Sequence, residues 1–188
     1  MINRCEWPGD NELMNKYHDT EWGMPVHDDK ELFEFLVLET AQAGLSWQTI
    51  LNRREGYRKA FLGFDYERIA KFTEKDVERL LQDEGIIRNK LKVRSTITNA
   101  QNFIRIQEEF ESFDKYIWEF VGGKQIVSNV KGMGDIQANT EISEKMSKDL
   151  KSRGFKFVGS TIMYAFMQAA GLVNDHMVDC FRYKECQK

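Results

Sequence analysis

Both prolines of the 188-residue chain, Pro8 and Pro25, fall before residue 28, so nothing later in the sequence forbids continuous helix. The longest apolar stretch follows at once. Asp28 and Glu31 form a capping-box entrance, Leu32, Phe33, Phe35, Leu36, Val37 and Leu38 put apolar groups nearly all round a helix, and Ala43-Gly44 supplies a stop. Such a helix is enclosed by protein. Glu39 lies seven, four and three residues after Leu32, Phe35 and Leu36, so a carboxylate shares their face. A buried carboxylate is paired, protonated or waiting for a ligand.

Downstream, Trp47, Ile50, Leu51 and Arg54 keep helical spacing, and Asp65 and Thr73 read as N-caps of two short helices. A helix ending near Gly85 is linked by DEGIIRN to one starting near Asn89, a tight helical hairpin. Phe113 to Val121 predicts a further short helix closed by Gly122-Gly123. Residues 124 to 139 form the main surface loop, with a brief extended piece at Ile126-Val127. Helices from Thr140 to Arg153 and from Gly154 to Gly171 follow, with His176 and Cys180 on one more turn or two. The fold class is therefore all-α, one unit spanning residues 1–188. Residues 1–27 read as an irregular arm carrying Cys5, Trp7, Tyr17, His18 and Trp22, and residues 172–188 as a tail.

Hydrophobic content of 41% with 30% charged residues is that of a globular protein, without a run long enough to cross a membrane. The start, MINRCEW, has no apolar signal region, so a cytoplasmic location is expected. A net charge of −3 argues against a general grip on nucleic acid and leaves room for a local basic surface. Arg88, Lys90, Lys92 and Arg94 offer one at the hairpin, with Lys151, Arg153 and Lys156 as a weaker extension; they are either a solvated face or a phosphate grip. Three cysteines without an export signal argue against a disulfide framework, and Cys186, in a polar tail, reads as an unattached thiol.

Two constellations carry chemistry. Glu39 is either a structural ion pair or cap, or an acceptor facing a flat ligand held by Trp47, Trp7, Tyr17 and Trp22. Cys5, His18, His176 and Cys180 are the right donors for a closed tetrahedral zinc site that would tie arm to tail. They can equally be two unrelated pairs, because no short C-x-x-C is present.

The motifs YHDTEWG (Tyr17 to Gly23), QAGLSW (Gln42 to Trp47), RGFKFVG (Arg153 to Gly159) and FMQAAGLVNDH (Phe166 to His176) resemble those of the 3-methyladenine DNA glycosylase I family, among the helix-hairpin-helix glycosylases. The resemblance covers nearly the whole chain. It implies a structural zinc ion on Cys5, His18, His176 and Cys180, with no open coordination position for hydrolysis at the metal. It implies that Glu39 and Tyr17 hydrogen-bond an excised base, that Trp47 stacks on it, and that Trp7 and Trp22 complete the slot. Leu45 would act as a wedge in the vacated stack, with Ile87, Arg88 and Lys90 also at the DNA.

The implied partner is double-stranded DNA carrying 3-methyladenine and the product is the free base, released by a monomer. A zinc-stabilised damage-binding protein without turnover and a zinc hydrolase are the alternatives. The sequence departs from the superfamily at the hairpin, where Glu84-Gly85-Ile86-Ile87-Arg88 lacks the usual second Gly and Pro. The usual catalytic Asp is also missing, with Gln107, Glu108 and Glu109 nearby, so no general base is assigned.

Overall fold

The computed structural model describes residues 3–187. Helices α1 (Glu12–Thr20), α2 (Asp29–Gln42), α3 (Trp47–Leu51), α4 (Arg54–Ala60), α5 (Tyr66–Ile69), α6 (Glu74–Gln82), α7 (Lys90–Phe110) and α8 (Phe113–Glu119) come first. After them come β1 (Ile126–Val127), a 3-10 turn at Met133–Asp135, α9 (Glu141–Ser152), α10 (Ser160–Ala169), β2 (Val173–Asn174) and α11 (Arg182–Glu185). The architecture is mostly helical, as expected, with one addition. β1 pairs in parallel with β2, Ile126 opposite Val173 and Val127 opposite Asn174, and a bridge between Val130 and Met177 extends the contact. This stitches the surface loop to the tail.

Helix α2 is the centre of the molecule. Asp28 accepts from the Glu31 amide at its start, and Ala43 followed by Gly44 at φ +77° ends it. It is walled in by α3, α7, α8 and α10, so Leu32, Phe33, Leu36 and Leu38 are fully buried. Phe33 meets Phe103 of α7 edge-on at 5.1 Å, and Phe103 stacks on Phe113 of α8 at 4.1 Å. Lys30 and Glu31 reach solvent at its start, but every residue from Phe35 to Ala41 is buried, and that stretch has no solvent face for a polar residue. Glu39 is therefore forced inside.

The arm differs from the expectation. Its middle third is helical: Asn11 caps α1 by accepting from the Met14 amide, and a nine-residue helix with one short apolar face is too brief for a clear periodic signal. The arm is fastened by the Gly23 amide to the Gln168 carbonyl and by the Val26 amide to the Ala170 carbonyl, each at 3.0 Å. Arg54 adds an ion pair to Glu21 at the end of α1 and another to Glu34 of α2, both at 2.6 Å. The tail also departs: residues 175–181 form a turn rather than a helix, with the Cys180 amide donating to the Met177 carbonyl at 2.8 Å.

The hairpin is made as its sequence predicts. Thr73 and Asp76 form the capping box of α6, Asp83 accepts from the Gly85 amide, and Asn89 caps α7. The longer segment after Trp47 breaks into α3 and α4. Among the described residues no helix is long and apolar enough to cross a membrane.

α4 presses on the hairpin at a point where only glycine fits, since a Cβ on Gly56 would lie 2.1 Å from the Gly85 carbonyl oxygen. Gly56→Ala is expected to force the two backbones apart and cost about 2 kcal/mol or more of stability. Denaturant unfolding of the variant checks this, and an unchanged midpoint would contradict it.

Candidate functional site

Glu39 is 3% exposed and ends inside a cavity of about 210 Å³. Tyr17 and Trp22 reach the cavity from α1 and the segment after it, Trp7 from the start of the arm, and Trp47 from the first turn of α3, which Ser46 caps. The rings interlock. Trp7 lies 5.0 Å from Trp22 and 6.3 Å from Tyr17, both edge to face, while Tyr17 is tilted against Trp47 at 5.2 Å. All five residues expected at a base slot therefore meet in one place.

The cavity is small for a drug-sized ligand, whose sites begin near 300 Å³, and suits one planar ring system. Its hydrogen-bonding capacity is unmet. Glu39 Oε2, Trp7 Nε1 and Trp47 Nε1 are buried without a partner. Such atoms are rare in folded proteins because each costs desolvation free energy that nothing returns. Burial pushes the Glu39 carboxyl up to about 8, so it holds its proton at neutral pH. Tyr17 is pushed up too, by burial first and by Glu39 and Glu21 second.

Residues that the sequence did not single out also line the cavity: Gln42, Met133, Ile136, Ala165 and Gln168. Gln42 follows Glu39 by three positions on α2 and was findable from helical spacing. Met133 and Ile136 come from the surface loop and carry no such signal.

Behind Trp22 lies the second constellation. Cys5, His18, His176 and Cys180 are all buried, and their donor atoms lie within 4.8 Å of one another. Cys5 Sγ is 3.5 Å from His176 Nδ1, and Cys180 Sγ is 3.5 Å from His18 Nε2 and 3.6 Å from His176 Nδ1. The outward ring nitrogens are held: His18 Nδ1 is 2.8 Å from Asp19 Oδ1 and His176 Nε2 is 2.9 Å from the Trp22 carbonyl. An N–H on each outer nitrogen leaves the inner lone pairs aimed at a common centre, the arrangement of a metal-ligating histidine. The four residues could hold one metal ion. The Trp22 ring also stands edge-on to His176 at 4.7 Å, which joins the cluster to the cavity wall.

Cys186 is in no disulfide, in line with the expectation, but its place in the tail does not leave it exposed. It is fully buried, with Sγ 3.9 Å from the Trp22 carbonyl, because α11 folds back against the arm.

The basic hairpin is only partly available. Arg88, Lys90 and Arg94 are all exposed, but Arg88 faces Glu84 at 3.7 Å and Arg94 pairs with Glu74 at 2.5 Å. The Ile87 amide donates to the Tyr57 hydroxyl at 3.3 Å, and Lys92 turns inward, donating to the Ala41 and Ala43 carbonyls. Leu45 is 39% exposed on the turn before α3.

The family model for methyladenine glycosylases matches residues 7–183. DNA-3-methyladenine glycosylase 1 of Escherichia coli (strain K12) is 47% identical over 182 residues, covering 97% of both chains. DNA-3-methyladenine glycosylase of Haemophilus influenzae is 45% identical, over 96% of this chain and 97% of that one. Among solved structures, a 3-methyladenine DNA glycosylase I aligns at 48% identity with a TM-score of 0.93, over 95% of this chain and 98% of that one. Another, from Staphylococcus aureus and described for its recognition of 3-methyladenine, aligns at 36% identity with a TM-score of 0.93, over 96% of each chain.

A raised carboxyl has a thermodynamic signature. The folded-state value near 8 lies above the ordinary carboxyl value, so Glu39 favours folding fully only below about pH 4.5, and that contribution is lost as pH rises through about 8. Glu39→Gln is thus expected to melt higher than the parent at pH 8.5, with the gap closing towards pH 5. Parallel melting curves across that range would contradict the assignment.

Proposed function

Since the chain belongs to the methyladenine glycosylase family, we propose that it hydrolyses the N-glycosidic bond of 3-methyladenine in alkylated duplex DNA, opening base excision repair. The observation that carries this reading is the buried Glu39 carboxyl, one oxygen unpartnered, in a ring-walled cavity sized for a single base. The flipped base stacks on Trp47 and hydrogen-bonds Glu39, whose carboxylate accepts, and Tyr17, with Trp7 and Trp22 closing the slot. Leu45 enters the gap left in the duplex. The α6–α7 hairpin is a helix-hairpin-helix unit whose Ile87, Arg88 and Lys90 lie along the phosphates, and one chain acts as a monomer.

Methylation at N3 gives the base a positive charge while it is still attached to the sugar. At pH 7, ionising a carboxyl with a value near 8 costs about 1.4 kcal/mol. A cation some 4 Å away returns about 4 kcal/mol at an effective dielectric near 20. The methylated base therefore draws out the Glu39 charge, and a neutral adenine does not. Aromatic faces add cation-π attraction in the same sense. The C1′–N bond breaks with its electron pair leaving on the base, which becomes neutral. Water adds to the oxocarbenium-like sugar at C1′ and loses a proton to solvent.

We assign zinc to the Cys5, His18, His176 and Cys180 cluster. Tetrahedral zinc, with bonds of about 2.3 Å to sulfur and 2.0 Å to nitrogen, places those donors about 3.5 Å apart, which the sulfur–nitrogen spacings of 3.5 and 3.6 Å fit. Four protein donors would fill the coordination sphere, so these residues would use the ion to fasten arm to tail, with no position left open for the reaction.

Chromatography of bases released from N-methylated duplex DNA tests the activity. Free 3-methyladenine is expected from the parent, with kcat/KM rising up to about pH 8 as Glu39 loses its proton. Glu39→Gln is expected to be slower by about tenfold or more and to lack the pH limb. No release by folded protein would contradict the reading, and equal profiles for both forms would remove Glu39 from it. Cys180→Ser is expected to lower both the metal content and the melting temperature. One equivalent of zinc with unchanged melting would refute that site.

A further inference from the structure

Lys92 stands in the first turn of α7, within the basic cluster of the hairpin, yet its partly buried ammonium turns towards the protein. It enters a cleft among Ala41, Tyr57, Phe61, Ile87, Val93 and Thr96, and donates to the Ala41 carbonyl at 2.8 Å and the Ala43 carbonyl at 2.7 Å. These belong to the C-terminal end of α2, where carbonyls lack intrahelical partners and a cation is favoured. Burial lowers the Lys92 pKa, the cost of withdrawing the charge from water.

The place reached matters more than the cap. Ala43 opens the turn that carries Leu45, the Leu45 amide donates back to the Gln42 carbonyl at 2.6 Å, and Ser46 then caps α3 at Trp47. Glu39 lies one turn before. A single side chain thus runs from the helix that follows the hairpin to the junction between the base slot and its exposed leucine.

We propose that Lys92 is a positioning residue for excision, fixing the height of the Leu45 turn relative to the hairpin so that phosphate contact and wedge insertion occur in register. It touches neither base nor sugar. Its loss loosens the turn and leaves the slot intact, so extraction of the base from duplex suffers while recognition of the free base does not. This rests on the glycosylase reading above.

The test is a double-mutant cycle of Lys92→Met and Leu45→Ala, read as single-turnover release of 3-methyladenine from methylated duplex DNA. Free 3-methyladenine affinity by tryptophan fluorescence and the melting temperature are followed alongside. Lys92→Met is expected to slow release about tenfold or more, since misplacement by an ångström costs up to about a hundredfold. Free-base affinity stays within about twofold, Lys92→Arg recovers most of the rate, and the double variant is no slower than the slower single one. Multiplying losses, or free-base affinity falling in step with the rate, would overturn the proposal. If Lys92→Met does not fold, Lys92→Gln completes the same cycle with the same two outcomes. Failure of the parent itself to release base would instead strike the glycosylase reading.

Discussion

The cavity exists because the arm is clamped across the far end of the chain. Cys5 and His176 are 171 residues apart in sequence and 3.5 Å apart in space, and every ring that walls the cavity except Trp47 belongs to the clamped segment. Loop-closure cost on that scale must be met by strong local interactions. Two buried histidines with held outer nitrogens, two buried thiols and two backbone hydrogen bonds to the end of α10 supply them. Trp22 shows the coupling most directly, with its carbonyl accepting from His176 and its ring lining the slot. The Cys/His cluster and the cavity share one wall.

Against that wall stands a carboxyl that the fold has placed at a thermodynamic disadvantage. Proteins carry such strain where a ligand relieves it. Burial keeps Glu39 protonated, and in the proposed reaction the relief is charge: a cationic base would be the partner that makes ionisation favourable. A neutral purine meets the same rings without the same reward. Discrimination then comes from what the site lacks when empty, as much as from the contacts it makes when full.

Much of this was legible in the chain. The capping signals at Asp28, Asp65 and Thr73 located three helix starts, and an all-round apolar pattern marked α2 as enclosed, making Glu39 conspicuous. What was hidden was hidden for physical reasons. α1 is too short for its periodicity to stand above its caps. The four-residue spacing of His176 and Cys180 suits a helix face, yet the donors are brought together by a turn that β2 and the bridge to Val130 hold in place. Met133 and Ile136 reach the slot from a loop, whose course depends on tertiary contacts. Lys92 looked like part of a phosphate grip because charge patterns do not show direction, and only the position of Ala41 and Ala43 reveals that it points inward.

Carbon-13 NMR of labelled glutamate reads the protonation state of the Glu39 side chain directly. The Glu39 carboxyl of the free protein is expected to titrate near pH 8, and to shift to the ionised signal at pH 7 when duplex DNA carrying a non-hydrolysable cationic 3-methyladenine nucleotide is added. A free-protein carboxyl that titrates near pH 4.5, or one that stays protonated at pH 7 with the cationic base bound, would contradict the account.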